Sequence, residues 1–270
     1  MRTTVNPLRL EHMTVFDLAP RQVIDLAEQL EIPFISLFLS DGLPGARPVT
    51  RAEVPDLRNR LRSSPVTLDS AEVVVLSPDR ASWQPTLELA AELGARSVVA
   101  IHVLPADDAE AAAQLAELAA AAASFDLKVS LEPISMGQVR TPDHGQRLIR
   151  QTGAANIGLT LDLLHIVRTG TPLGTLAAID PAVIFTAQVC DGPATIAPDH
   201  AVEEAGYQRG IPGTGVFPVV DFFRALPPDI VIGMEVPLKS QREAGMSALE
   251  RTRAVLDATR RLQQLALAGG

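Results

Sequence analysis

The sequence predicts an α/β fold, a single (β/α)8 TIM barrel over residues 1–270, and three observations carry that reading. Eight apolar runs recur along the chain, near 8–13, 34–39, 71–76, 97–103, 128–133, 156–162, 183–189 and 230–236. Near-continuous apolar runs are what strands of a parallel sheet look like when both faces are covered. Helix-like stretches separate the runs, as a βαβα alternation requires. The length of 270 residues with 47% hydrophobic residues suits one large core, and a closed barrel of about 250 residues is a natural solution at that size. An open doubly wound sheet is the competing architecture, but no GxGxxG follows the first strand, so its usual dinucleotide fingerprint is absent.

Taken in order, LRLEHM opens the barrel and the helical stretch 20–30 follows it. FISLFL precedes a helix at 50–62, AEVVVL one at 84–94, and SVVAIHV one at 107–124. The last of these, AEAAAQLAELAAAAASF, is low in complexity, yet its Leu and Ala spacing and helix-favouring composition fit an outer barrel helix. KVSLEP leads to a helix at 142–152, while NIGLTLD is followed at 170–178 by a short, weakly helical connection. After VIFTAQV comes the longest connection, 191–213, rich in Gly and Pro. It reads as a functional βα loop, with a tolerated surface insertion as the alternative. Helices at 215–226 and 244–266 flank the last strand, IVIGMEV.

Charge narrows the partners. Lys and Arg total 23 against 32 Asp and Glu, a net charge of −9, which offers no general attraction to nucleic-acid phosphates or anionic lipid. The N-terminus lacks a sustained apolar signal region and no long uncharged apolar stretch occurs, so the expectation is a soluble cytoplasmic protein acting on a small molecule. A homo-oligomer is compatible with the sequence. Cys190 is the single cysteine; it excludes an internal disulfide and reads as a buried thiol.

Four strand-like segments end in a side chain able to bind a divalent metal: Glu132 in VSLEPIS, Asp162 in IGLTLDLLH, Gln188 in VIFTAQVCD and Glu235 in IVIGMEVP. Each closes an apolar run, where an unpaired polar group is costly. In a closed barrel all strand ends meet at one face, so these four would converge. Three carboxylates and an amide oxygen form a hard site for one divalent ion, Mn²⁺ or Mg²⁺ by preference and Co²⁺ as a further option. His165, three residues after Asp162, is the candidate acid/base, with Glu132 or Glu235 as a second proton-transfer group. The strand gives way there to a turn, so Asp162 and His165 can point into one cavity without a continuous helix between them. His12 and His102, near the ends of the first and fourth strands, are candidate substrate contacts. Arg168 and Arg209 are candidate anchors for a carboxylate or phosphate. Phe38, Leu39 and Leu76 suggest a partly apolar wall, Trp83 reads as packing, and His144 and His200 as exposed positions. Lys128 begins a strand at the wrong end for Schiff-base chemistry, and Lys239 follows the last strand.

At this point the chain resembles the xylose isomerase-like TIM-barrel superfamily, in its sugar phosphate isomerase/epimerase group. The matching segments are HMTVFDLAP, LEP at 131–133, LDLLHIVRTG at 161–170, QVCD, PGTG at 212–215 and MEVP at 234–237. The resemblance implies a metal held by Glu132, Asp162, Gln188 and Glu235, with His165 facing the substrate. Many sugar epimerases of the group carry His where this chain has Gln188, and PGEG where it has Thr214. Gln at that position is similar to 3-dehydroshikimate dehydratases, which are metal-dependent lyases. The implied chemistry is proton removal next to a carbonyl. Loss of a β-hydroxyl then gives dehydration, and reprotonation elsewhere gives isomerisation or epimerisation. A small-ligand binding protein on a retained barrel is the noncatalytic alternative. A DNA-repair endonuclease on the same barrel needs more His and carboxylate ligands than the sequence places.

Overall fold

The computed structural model describes residues 5–41 and 44–268. Eight strands close into a barrel in chain order: β1 (Leu8–Leu10), β2 (Phe34–Phe38), β3 (Thr67–Val75), β4 (Ser97–Ile101), β5 (Lys128–Leu131), β6 (Ile157–Asp162), β7 (Ile184–Val189) and β8 (Val231–Met234). All neighbouring pairs are parallel, and β1 pairs with β8 through Leu8↔Ile232 and Leu10↔Met234. The helices are α1 (Pro20–Gln29), α2 (Val54–Arg62), α3 (Gln84–Leu93), α4 (Asp108–Ala123), α5 (Pro142–Thr152), α6 (Leu163–Arg168), α7 (Ala201–Gly206), α8 (Val219–Ala225), α9 (Lys239–Glu243) and α10 (Ala248–Ala268). Among the described residues no helix is long and apolar enough to cross a membrane.

Local chemistry explains most boundaries. Pro20 and Pro142 stand in the first turns of α1 and α5, where a missing N–H costs nothing. Asp107 and Thr141 cap α4 and α5 by accepting from the N–H of Glu110 and His144. In α4 the buried residues Ala111, Leu115, Leu118 and Ala122 repeat at three and four residues, so the alanine-rich segment packs one face on the barrel.

Three boundaries differ from expectation. β3 starts at Thr67 rather than near 71, because Asp69 interrupts its apolar run. Asp69 accepts from Arg9 Nη1 at 2.7 Å, an ion pair inside the barrel that hydropathy cannot register. The helix expected over 244–266 begins only at Ala248, as α10, because Gly245 at the start of that stretch is left-handed with φ 89°; the short α9 ends before it. The turn expected after Asp162 is instead α6, which Asp162 itself caps by accepting from Leu164 N at 2.8 Å.

Register sets the mouth of the barrel. Asp162 stands opposite Gln188, and Gln188 opposite Gly233. Glu235 N then reaches Val189 O at 3.2 Å, and Glu132 N reaches Ala100 O at 2.9 Å. The long connection after β7 folds back as α7 and is fastened by isolated bridges Asp191↔Gly210 and Gln208↔Leu238. Asp191 organises this loop, accepting from the N–H groups of Gly192, Gly213 and Phe217. The PGTG segment packs so closely there that a Cβ at Gly215 would overlap Gly192 O and Asp191 Oδ1.

Candidate metal centre

The four strand-end residues meet. Gln188 Nε2 donates to Glu235 Oε1 at 2.8 Å. Arg209, at the end of the long connection, reaches Asp162 Oδ2 and Glu235 Oε2, each at 2.9 Å. His165 Nε2 lies 3.7 Å from both Glu132 Oε1 and Asp162 Oδ2. Ligand atoms of Glu132, Asp162 and His165 all lie within 4.8 Å of one another. Every one of these side chains is buried.

Burial then shapes their charges. It drives the Glu132 carboxyl well above the ordinary carboxylate range, reinforced by the charges of Glu235 and Asp162. Glu235 is likewise raised by burial, against the pull of Arg209. At Asp162 burial is outweighed by Arg209, then by His165 and the Leu164 N–H, so this carboxyl is lowered. Burial lowers His165 to about 4, leaving a neutral imidazole at neutral pH. Its Nδ1 is 3.1 Å from Ser135 Oγ, which fixes the ring with Nε2 toward the carboxylates.

The donor set fits a hard divalent cation. Gln188 Oε1 is fully buried and accepts no hydrogen bond, and Glu235 Oε2 faces Arg209 Nη2 at 2.9 Å. A buried oxygen with unused capacity, beside carboxyls that outnumber their one cationic side chain, suits Mn²⁺ or Mg²⁺ ligation. Burial also pushes the Cys190 thiol up, and its Sγ is 3.9 Å from Arg209 Nη1; it packs beneath the site as a neutral thiol.

A cavity of about 210 Å³ opens over these groups. Its floor holds Glu72, Glu132, His165, Arg209 and Glu235, and its walls are largely apolar, with Met13, Phe38, Ile101, Ile134 and Met136 among them. A larger cavity of about 910 Å³ lies at the opposite end, around Arg9, Asp69 and Lys128. The functional groups of a (β/α)8 barrel gather at the C-terminal strand ends, which favours the smaller one.

Not every expected residue reaches this cavity. The His12 ring is fully occupied, with Nδ1 accepting from Phe38 N and Nε2 3.1 Å from Leu18 O. It is a core histidine, held at a pKa of about 4 by burial. His102 is buried with no hydrogen bond to either ring nitrogen, and it is absent from the cavity lining. Arg168 also points elsewhere: it pairs with Glu204, donates to Pro193 O and lies over Phe217. Phe38 lines the cavity, whereas Leu39 and Leu76 belong to the core. Trp83 is buried with Nε1 donating to Val75 O. His144 pairs with Asp108, Lys239 with Glu203, and Lys128 lies over Phe185.

Two carboxyls of the centre escaped the sequence reading. Glu11, just past β1, receives Arg9 Nη2 at 2.6 Å. Glu72, on β3, is raised well above the ordinary range by burial and by Glu11. With Glu235 they form a second cluster whose ligand atoms lie within 4.8 Å. Gly233 makes room for it: a Cβ there would overlap Glu11 Oε1 and stand 2.7 Å from Glu11 Cδ. The signal was present, since a glycine inside a strand marks close approach of another group.

Comparison with known proteins agrees with the barrel fold. A family model described as xylose isomerase-like TIM barrel matches residues 24–261. A 3-dehydroshikimate dehydratase of Pseudomonas aeruginosa is 33% identical over 157 residues, 56% of this chain and 24% of that protein. The matched part is thus about a quarter of that relative's length. Among solved structures, IolI protein with a binding zinc atom superposes with a TM-score of 0.78 at 17% identity, covering 98% of this chain and 99% of that one. D-psicose 3-epimerase with D-tagatose from Clostridium cellulolyticum H10 gives 0.74 at 14% identity, covering 97% and 99%. At these identities the structural likenesses speak for the fold.

Proposed function

Since the chain belongs to the xylose isomerase-like TIM-barrel family, we propose that it is a divalent-metal-dependent enzyme that forms an enolate next to a carbonyl of a polyhydroxylated small molecule. Its outcome is dehydration, the loss of a β-hydroxyl as water, which is the reaction type of 3-dehydroshikimate dehydratases. The observation that carries this is a linked set of buried donors: Glu132 lies with Asp162 around His165, Arg209 joins Asp162 to Glu235, and Gln188 donates to Glu235 while its own Oε1 accepts no hydrogen bond. When bound there, Mn²⁺ or Mg²⁺ supplies Lewis-acid stabilisation of developing negative charge on a carbonyl oxygen.

The chain's own residues move the proton. Glu132, its proton affinity raised by burial, is placed to take a proton from the carbon next to the carbonyl. His165 is neutral and oriented by Ser135, so it can orient the leaving hydroxyl and relay a proton to it. Arg209 holds Asp162 and Glu235 in place and offsets their charge. The apolar walls keep bulk water from quenching the intermediate. Gln188 and the dehydratase relative support elimination as the outcome. Isomerisation or epimerisation is the second reading, favoured by Glu235 lining the same cavity as a second carboxyl of raised proton affinity, since taking and returning a proton at different positions uses two such groups.

Incubation of Mn²⁺-loaded protein in D₂O with uncharged keto-polyols, with 3-dehydroshikimate and with its methyl ester, followed by mass spectrometry, tests the proposal. Loss of water marks the lyase, and deuterium uptake without that loss marks the isomerase. If neither occurs, and chelation leaves ligand binding unchanged, the protein is a binding module instead.

A further inference from the structure

Resting on the enolising reading of the site, we infer that the substrate is an uncharged cyclic polyol ketone carrying an apolar substituent, and that molecules bearing a carboxylate or phosphate are rejected. Three features of the cavity lead there.

The first is the absence of a spare cation. Arg209 is the sole lysine or arginine lining the cavity among the described residues, and it spans Asp162 and Glu235. Arg168, the other candidate anchor, is locked onto Glu204 and the loop carbonyls. The second is charge balance. Asp162 and Glu235 already share Arg209, and Glu132 lies beside them against His165, so the carboxyls outnumber the one cationic side chain. Glu72 on the same floor adds a carboxyl and no positive charge. An anionic substrate would enter a low-dielectric space with nothing left to offset it, whereas a neutral ketone develops its negative charge only during reaction.

The third is where the polar groups lie. They are confined to the floor, while Met13, Phe38, Ile101 and Ile134 form the walls. A sugar with hydroxyls around its whole periphery would leave several without partners. Met136 and Val202 continue the apolar surface outward to the rim, where they are 40% and 64% exposed. With about 210 Å³ available, a single ring fills the cavity and its apolar substituent rests on Met136 and Val202.

A graded series tests this: 3-dehydroshikimate, its methyl ester and its benzyl ester, titrated calorimetrically into Mn²⁺-loaded protein and into metal-free protein. The methyl ester is expected to bind at least about tenfold more tightly than the acid, and the benzyl ester more tightly again. Val202→Asp should erase the benzyl gain, and Glu72→Gln should narrow the gap between acid and ester. Acid binding equal to or tighter than the methyl ester overturns the inference, as does failure of both esters to bind at about 10 mM. Loss of Mn²⁺ binding with the ester preference intact would sink the enolising reading and leave the pocket's preference standing.

Discussion

Gly233→Ala is the sharpest perturbation of the barrel interior. The added methyl overlaps Glu11 Oε1 and stands 2.7 Å from Glu11 Cδ, where ordinary contact begins at 3.4 Å. The carboxylate must therefore retreat by at least about 0.7 Å, in a space where Glu11 and Arg9 are fully buried. Retreat breaks the bonds from Arg9 Nη2 at 2.6 Å and Nε at 2.8 Å. Uncompensating one member of a buried ion pair costs about 3–5 kcal/mol. Arg9 keeps Asp69 at 2.7 Å, which places the expected loss near the lower end, about 3 kcal/mol. At this chain length that is a fall in Tm of roughly 6–12 °C. Differential scanning calorimetry measures it, with Gly174→Ala as the control because nothing lies within 4 Å of a Cβ there. The double variant Gly233→Ala/Glu11→Ala should lose less than the sum of the single ones, because the clash is gone. A Gly233→Ala protein within about 1 kcal/mol of the parent would refute the packing argument.

Other outcomes follow from the site. His165→Ala should retain Mn²⁺ binding while turnover falls by roughly 10²–10⁴, the usual worth of a general acid/base, and near-normal turnover would remove His165 from the chemistry. His12 is buried neutral at about 4 against an ordinary 6.5, so between those values the unfolded chain binds a proton that the folded one refuses. Its contribution to stability is intact above 6.5 and is lost as pH falls toward 4. The stability difference between the parent and His12→Gln should therefore shift by about 3 kcal/mol over that window in urea titrations, and a pH-independent difference would contradict it. Arg168→Met releases Glu204 and the carbonyls of Pro193 and Ala194, so limited proteolysis should cut the 193–204 segment faster than in the parent.

The architecture was legible because βα units repeat an apolar run followed by a 3.6-residue period, and all eight runs became strands. The four strand-end donors were legible for a related reason: a polar residue closing an apolar run has few cheap explanations. What escaped shows the limit of hydropathy. Arg9, Asp69, Glu11 and Glu72 lie within or beside strands; Arg9 pairs with both Glu11 and Asp69, and burial beside Glu11 raises the Glu72 carboxyl. No single segment reveals that. His12 and Arg168 failed in the opposite way. Both have suitable chemistry near strand ends, but backbone carbonyls, an amide and Glu204 had already claimed them. Whether a side chain is free depends on partners distant in sequence, as with Leu18 and Phe38 around one ring.

The most direct test of the central claim is titration of chelator-treated protein with Mn²⁺, read by electron paramagnetic resonance of the free ion. Saturable uptake is expected in the parent chain, and it should be lost when Asp162 or Glu235 is changed to Ala. A chain that takes up no Mn²⁺, or variants that bind it as tightly as the parent, would contradict the claim that these remote side chains form one metal centre.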